Sequence, residues 1–163
     1  MRESKKLLCL DFDGVLHSYS SGWQSADRIP DPPVEGALAF LVRASERFAL
    51  AIFSSRSHQD GGIEAMQSWL RDHLLDDLGW TRGAASRFVD GIAWPIHKPP
   101  AHLSIDDRAL SFNGDWSRYD LDELETFRPW NKQAPRCPTC GAFEGGDCVS
   151  IARGGDCQAD WGP

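Results

Sequence analysis

Two aspartates one residue apart, Asp11 and Asp13, follow an apolar run that begins at Leu7. A buried strand normally ends in polar turn residues, yet this run ends in two like charges that repel each other. Such a pair is tolerated where a cation or an incoming electrophile uses the charges. The pair therefore indicates a metal-assisted site at the end of a strand.

The elements that must position this pair follow from the hydrophobic pattern. Apolar runs at 7–12, 48–53 and 102–105 predict three strands, and 88–92 is a further strand candidate. Apolar residues recur at helical spacing in two segments, namely Val34, Leu38, Leu41 and Val42 after Pro32-Pro33, and Ile63, Met66, Leu70 and Leu74 after Gly61-Gly62. Strands that alternate with helices predict an α/β fold with a doubly wound parallel sheet.

A last helix is predicted near residue 120. Asp120 is a suitable N-cap, and the pattern predicts that Leu121, Leu124 and Phe127 turn inward.

Polar side chains follow each of the three predicted strands. Ser54 follows the second strand, and Asp106 and Asp107 follow the third. Lys98 lies in a proline-flanked loop eight residues before Asp106. Because ligands bind beyond the carboxyl ends of parallel strands, we expect one site to collect these residues together with the first aspartate pair.

This set of residues is suited to phosphoryl transfer. The carboxylate of Asp11 is placed to attack phosphorus, and Asp13 to protonate the leaving oxygen and then to activate water. Ser54 can donate to the phosphate, and Lys98 can neutralise developing charge. Magnesium prefers oxygen ligands. The expected Mg²⁺ ligands are Asp11, Asp13, Asp106 and Asp107.

In motif order, residues 7–113 resemble the haloacid dehalogenase superfamily of phosphohydrolases. The resemblance is carried by Asp11-Phe12-Asp13-Gly14-Val15-Leu16, by Ser54, by Lys98 and by Ser104-Ile105-Asp106-Asp107. It implies a Rossmann-like fold, a Mg²⁺ requirement, a nucleophilic Asp11 and an acid/base Asp13. An aspartate at the second position favours a phosphatase or phosphotransferase. The sequence is also similar to those of small phage and bacterial members of the superfamily.

Members of this superfamily often carry a cap domain over the site, but both insertion positions are short here. Residues 14–33 provide only a flap, in which Tyr19, Trp23 and Arg28 are candidate substrate contacts, and 57–97 holds little beyond helices. An open site on a capless member fits a phosphomonoesterase acting on a nucleotide or another small phosphorylated metabolite. It also fits a phosphatase that processes 3′ or 5′ nucleic-acid ends. A non-catalytic binding scaffold is the alternative of another class.

The segment 132–163 reads as a separate zinc-binding tail after a phosphohydrolase domain at 1–131. Cys137, Cys140, Cys148 and Cys157 supply the four thiolates of a tetrahedral structural Zn²⁺ site. Cys-Pro-x-Cys-Gly resembles the first half of a zinc ribbon, whereas the second half has no CxxC. Asp147 or Asp156 is an alternative fourth ligand.

Composition limits the classes of partner. The chain has 163 residues, 41% of them hydrophobic, and a net charge of −7, which argues against a broad electrostatic grip on nucleic acid. No apolar run approaches the ~20 residues that a membrane span requires, and no signal peptide is recognisable. We therefore expect a soluble cytoplasmic protein with reduced cysteines and no membrane partner.

Several alternatives remain open on sequence alone. Ser55 competes with Ser54 for the phosphate, and Arg56 is equally suited to binding phosphate or pairing with an acid. Asp107 is either a metal ligand or a turn residue. No role is assigned to any histidine, and Cys9 reads as a small hydrophobic residue inside a strand.

Overall fold

The structure, a computed structural model, describes residues 4–111 and 113–132. Within these ranges the chain forms three strands, four α-helices and two single turns of 3₁₀ helix. In chain order the strands and helices are β1 (Leu7–Leu10), α1 (Ala37–Arg47), β2 (Ala49–Ile52), α2 (Gly62–Asp76), α3 (Arg82–Asp90), β3 (Leu103–Ile105) and α4 (Leu121–Glu125). The 3₁₀ turns span Trp116–Arg118 and Trp130–Lys132.

The strands form a parallel sheet in the order β2-β1-β3. Leu10 at the end of β1 is paired with Ile52 of β2 on one side and with Ile105 of β3 on the other. The mixed α/β class and the parallel pairing are thus as predicted. The position of β1 in the middle of the sheet brings the residues that follow all three strands to one edge.

The prediction of a strand at 88–92 is wrong. Residues up to Asp90 belong to α3, whose N-cap Thr81 accepts a hydrogen bond from the backbone N–H of Ala84. The helix is amphipathic and buries Ala85 and Val89, so its apolar residues recur at helical rather than strand spacing. After α3 the chain meets the sheet at Ala93, which forms a single parallel bridge with Ala51 of β2.

The apolar faces predicted for α1 and α2 form the core. Leu38 and Leu41 of α1 are buried, and so are Met66, Leu70 and Leu74 of α2. They pack in one cluster with the alternate residues of β1 and β2. This burial fixes the two helices on the sheet and leaves the loops at the carboxyl ends of the strands to form a site.

The last helix is shorter and more exposed than predicted. Asp120 does cap it, because its carboxylate accepts hydrogen bonds from two backbone N–H groups. The prediction of an inward face is wrong, since Leu121 is 79% exposed, Leu124 40% and Phe127 44%. Helical spacing is present, but Leu124 and Phe127 line an open groove with Leu110 instead of a closed core.

The predicted zinc ligands, from Cys137 onward, lie outside the described residues, as does all of the predicted tail except Lys132. Among the helices that the structure describes, none combines the length and apolar character needed to cross a membrane.

Candidate functional site

Three aspartates converge at the carboxyl edge of the sheet. Asp11 follows β1, and Asp106 and Asp107 follow β3, which is paired with β1. The backbone N–H of Asp11 donates to the carbonyl of Ile105 at 2.9 Å, so the parallel pairing continues into the site. One carboxylate oxygen from each aspartate lies within 4.8 Å of the others. We call Asp11, Asp106 and Asp107 the carboxylate cluster.

The carboxylate of Asp107 is buried within the carboxylate cluster. Its side chain is only 2% exposed, and neither carboxylate oxygen has a hydrogen-bond partner among the described residues. Nε of Arg108, whose own side chain is largely exposed, lies 3.9 Å from Oδ2 of Asp107. Burial raises the pKa of Asp107, an effect that Arg108 opposes and that Asp106 reinforces. This buried carboxylate therefore has no hydrogen-bond donor among the described residues, and its one ion pair there is a 3.9 Å contact with an exposed arginine.

Gly14 makes the position of Asp107 sterically possible. A Cβ atom at residue 14 would collide with the carboxylate of Asp107. Gly14 also has a φ of +83°, in the left-handed region that glycine adopts without strain. The glycine after the aspartate pair is therefore required for both the turn and the approach of β3's loop.

Asp11 has a strongly perturbed acidity. Burial raises its pKa to about 7, and the charges of Asp106, Asp107 and Asp13 add to this effect. The backbone N–H of Phe12, which donates to Oδ1 at 2.7 Å, opposes it. A bound cation would reverse this balance by favouring the ionised carboxylate.

The carboxylate of Asp13 is held by protein groups and is not part of the carboxylate cluster. Its Oδ2 accepts a hydrogen bond from Nε of Arg56 at 2.8 Å, and its Oδ1 lies 2.8 Å from Nδ1 of His17. We call Asp13, His17 and Arg56 the Asp13 network. Of the four carboxylates expected to bind Mg²⁺, the structure thus brings three together and gives the fourth other partners.

Ser54 and Ser55 occupy different environments at the end of β2. Ser54 is 2% exposed, and its Oγ accepts a hydrogen bond from the backbone N–H of Arg56 at 3.3 Å. Ser55 is exposed. Both line a pocket of about 290 Å³ at the carboxylates; its walls are Asp11, Asp13, Tyr19, Phe53, Ser54, Ser55, Asp106 and Arg108.

Lys98 is not among the residues that line this pocket. Its side chain is exposed, and among the described residues it has no hydrogen bond or ion pair. The charge of Lys98 does affect Cys9 in β1. Burial raises the pKa of Cys9 and Asp11 raises it further, whereas Lys98 lowers it. Lys98 therefore lies near the β1 strand without a fixed contact to Asp11.

Two residues of the site, His17 and Arg56, were not assigned roles from sequence. Arg56 pairs with an acid, Asp13, which decides between the two interpretations left open for it. His17 lies in the flap at 14–33, which contains no helix or strand, so no periodic pattern indicates where its ring points. The only sequence signal is its position four residues after Asp13.

Comparison of the chain with protein families, curated proteins and solved structures finds no match. What the site can do chemically is therefore argued from its own geometry. That geometry combines an oxygen-rich cluster able to bind a divalent cation, a carboxylate with two protein donors, and a buried serine beside an open pocket.

Proposed function

We propose that this protein is a Mg²⁺-dependent phosphomonoesterase of the haloacid dehalogenase type, built on a Rossmann-like version of the observed α/β fold. The observation that carries the proposal is the carboxylate cluster, in which the buried carboxylate of Asp107 accepts no hydrogen bond from the described residues. Two unit charges about 5 Å apart repel by roughly 3 kcal/mol at an effective dielectric constant of 20. A cluster of three such groups is expected where a cation completes it.

The donor set fits magnesium better than a softer metal. All three side chains offer carboxylate oxygens, which suit Mg²⁺ and Ca²⁺, and no thiolate or imidazole belongs to the cluster. Asp11, Asp106 and Asp107 would hold the ion. Bound there, Mg²⁺ would supply positive charge that offsets the charge on a phosphoryl group and keeps Asp11 ionised.

Asp11 is the nucleophile of the proposed reaction. Its carboxylate follows the central strand, lines the pocket and is held by the N–H of Phe12 through one oxygen only. In the first step an oxygen of Asp11 forms a bond to phosphorus, and the bond from phosphorus to the leaving oxygen breaks. The product is an aspartyl phosphate on this chain, which a second step hydrolyses.

Asp13 serves as the acid and base of both steps. It lines the same pocket as Asp11 and is only 11% exposed. In the first step it gives a proton to the leaving oxygen. In the second it takes a proton from water as the water oxygen attacks phosphorus and the bond to Asp11 breaks.

Ser54 is the better candidate for the phosphate contact at the end of β2. Its Oγ accepts from the N–H of Arg56, so its own hydroxyl hydrogen is left to donate into the pocket. A side chain that is already buried and oriented loses less conformational entropy on binding than exposed Ser55 would. For Lys98 we propose a screening role near Asp11, based on its charge reaching the end of β1.

The proposed substrates are nucleotides or other small phosphorylated metabolites. The pocket has a volume of about 290 Å³, which suits a phosphate group with part of its ester. Arg108 and Tyr19 line its wall, so the ester group would meet one cation and one aromatic ring.

The test is phosphate release from p-nitrophenyl phosphate and from a panel of mononucleotides and 3′- or 5′-phosphorylated oligonucleotides. Wild-type protein should turn over with Mg²⁺ and stop with a chelator. Asp11→Asn should lower kcat by roughly a thousandfold or more, as expected for loss of a nucleophile. The matched control is Asp72→Asn, an exposed aspartate on α2, which should keep wild-type activity. Turnover by Asp11→Asn, or wild-type inactivity across the panel, would contradict the proposal, and a preference for oligonucleotides would redirect the substrate class.

A further inference from the structure

The carboxylate of Asp13 is fixed from two sides by residues that are themselves fully buried. His17 and Arg56 both have no exposed side-chain surface, and each contributes one contact at 2.8 Å to a different oxygen of Asp13. A carboxylate with one free oxygen can rotate about its last torsion. Two donors on two oxygens remove that freedom.

The ring of His17 has a defined tautomer. The backbone N–H of Asp31 donates to Nε2 of His17 at 3.1 Å, which assigns Nε2 as the acceptor, while Oδ2 of Asp31 lies farther away at 3.5 Å. The remaining ring proton lies on Nδ1, which therefore donates to Oδ1 of Asp13. The contact from His17 is thus directional, and a backbone group of the flap sets its direction.

His17 is also held in place by its own backbone and ring. Its N–H donates to the carbonyl of Phe12, and its carbonyl accepts from the N–H of Gly14. The imidazole stacks on Phe12 with ring centroids 5.7 Å apart and meets Trp69 edge-on at 5.8 Å. Trp69 in turn donates from Nε1 to the carbonyl of Asp31. The ring is therefore fixed against the core of the domain.

Arg56 attaches the rest of the flap to the same carboxylate. Its Nη1 donates to the carbonyls of Ser25 and Ala26 at 2.6 and 2.9 Å, while Nε donates to Asp13. The guanidinium lies over the ring of Trp23 at 4.7 Å. A single buried cation thus joins the loop after β2, the flap and Asp13.

We propose that His17 and Arg56 are positioning residues for Asp13, and that the flap at 14–33 folds around them to hold the Asp13 carboxylate in one orientation toward the pocket. This inference rests on the proposed phosphatase function. It assigns His17 and Arg56 no contact with substrate.

The two half-reactions respond differently to a misplaced Asp13. p-Nitrophenolate is a good leaving group, so transfer of the phosphoryl group to Asp11 breaks its ester bond without a proton from Asp13. Hydrolysis of the aspartyl phosphate still needs Asp13 to take a proton from water. Loss of positioning therefore slows the second half-reaction more than the first, and the phosphorylated enzyme accumulates.

The variant that tests this is His17→Gln, compared with His17→Asn. The side-chain amide of Asn places an N–H donor near the position of Nδ1, whereas that of Gln places it near Nε2. With p-nitrophenyl phosphate, His17→Gln should show a burst of about one nitrophenolate per chain, followed by a steady-state kcat about 10- to 100-fold below wild type with little change in KM. His17→Asn should recover most of that loss.

The matched control is His73→Gln. His73 also contacts an aspartate through Nδ1, with 2.9 Å to Oδ2 of Asp77, but on α2 and outside the pocket. It should show no burst and a wild-type kcat. A folded His17→Gln variant with wild-type kcat would overturn the positioning role while leaving the phosphatase proposal intact. A wild-type protein with no turnover would overturn both.

A measurement on the wild-type protein covers the case in which His17→Gln does not fold. The ¹⁵N chemical shifts of His17 should show a protonated Nδ1 and an unprotonated Nε2. A proton on Nε2 would contradict the donor role toward Asp13, whatever the kinetic result.

Discussion

The Asp13 network and the carboxylate cluster both contain a buried aspartate beside the pocket, but the two aspartates differ in their hydrogen-bond partners. In the Asp13 network, both oxygens of the carboxylate have protein partners within 2.8 Å. In the carboxylate cluster, Asp107 is just as buried, yet it accepts no hydrogen bond from the described residues; its ion pair with exposed Arg108 is 3.9 Å long, and two other carboxylates lie beside it. The difference teaches that burial alone does not identify a metal ligand. What marks the cluster is a buried carboxylate that has no hydrogen-bond donor among the described residues and lies beside two other carboxylates.

The contrast also separates two ways to prepare a carboxylate for chemistry. His17 of the flap and Arg56 of the loop after β2 supply the donors that orient Asp13 before any ligand arrives. The cluster instead leaves Asp11 with a pKa near 7, a condition that suits a group whose charge is stabilised only when a cation binds. Each of the following measurements compares the two sides directly.

The largest expected difference lies between Asp13→Asn and Asp107→Asn in metal-free buffer. Asp13→Asn leaves the guanidinium of Arg56 buried without its charge partner, so the free energy of unfolding should fall by roughly 3–5 kcal/mol. Asp107→Asn breaks no hydrogen bond among the described residues and loses only a 3.9 Å contact with exposed Arg108, while it removes one of three repelling charges, so stability should stay about the same or rise. Denaturant unfolding with a chelator present measures both.

Mg²⁺ should narrow the difference in stability between these two variants. The ion should stabilise Asp13→Asn about as much as it stabilises the wild type, because binding to the native state alone raises stability by mass action. It should not stabilise Asp107→Asn. Exposed Asp72→Asn is the control and should lie within about 0.5 kcal/mol of wild type. Equal losses in both pocket variants would show that the two sides do not differ.

The next effect is the dependence of stability on pH that Asp11 confers. The pKa of Asp11 is about 7 in the folded protein, above the value near 4 of an unfolded chain, so the folded state binds this proton more tightly. The contribution of Asp11 to the free energy of unfolding is therefore most favourable below about pH 4 and is lost as pH rises to about 7.

Comparison with Asp11→Asn isolates this contribution, since the amide does not titrate. At pH 8 without metal the variant should be more stable than wild type by on the order of 3 kcal/mol, and the gap should close toward pH 4. Asp107, whose pKa is also raised, is present in both proteins, so its contribution largely cancels. Thermal unfolding across pH measures the gap. A gap that stays constant between these pH values would contradict the perturbed acidity of Asp11.

The carboxylate cluster could be predicted from sequence because it depends on strand ends. Apolar runs identify β1 and β3, and parallel pairing then requires Asp11 and Asp106 to be neighbours. The same logic fails for the strand candidate at 88–92, where a short apolar run belongs to α3. Short runs do not distinguish the two kinds of element by themselves.

The Asp13 network could not be predicted because it depends on the path of an irregular loop. The contacts of Arg56 with the carbonyls of Ser25 and Ala26 join residues some 30 positions apart, and no periodicity encodes them. The tautomer of His17 depends on one backbone N–H, at Asp31. Backbone hydrogen bonds of this kind cannot be recognised from residue types. The sequence therefore does not decide whether Arg56 binds phosphate or pairs with an acid, and it assigns no role to His17.

The smallest expected effect concerns Gly14, which touches both sides of the pocket. Its N–H donates to the carbonyl of His17, and its missing Cβ makes room for Asp107. Gly14→Ala therefore combines a left-handed φ with a collision. Gly22→Ala is the matched control, because Gly22 has a similar φ of +72° and open space where the Cβ would stand.

Both alanine variants should share a backbone penalty of about 1 kcal/mol, measured by denaturant unfolding. Gly14→Ala should lose roughly 1 kcal/mol more, as an overpacked buried site does. That additional loss should be accompanied by weaker Mg²⁺ binding, because the displaced group is the carboxylate of Asp107. Gly14→Ala could instead leave Mg²⁺ affinity intact and produce the nitrophenolate burst expected of His17→Gln. That result would show that the added methyl group displaces His17 and not Asp107, so the Asp13 network would be the less rigid of the two groups. The group that this one methyl displaces is the less rigid of the two, either the carboxylate cluster or the Asp13 network. The aspartate variants cannot rank their rigidity, because each of them removes a charge.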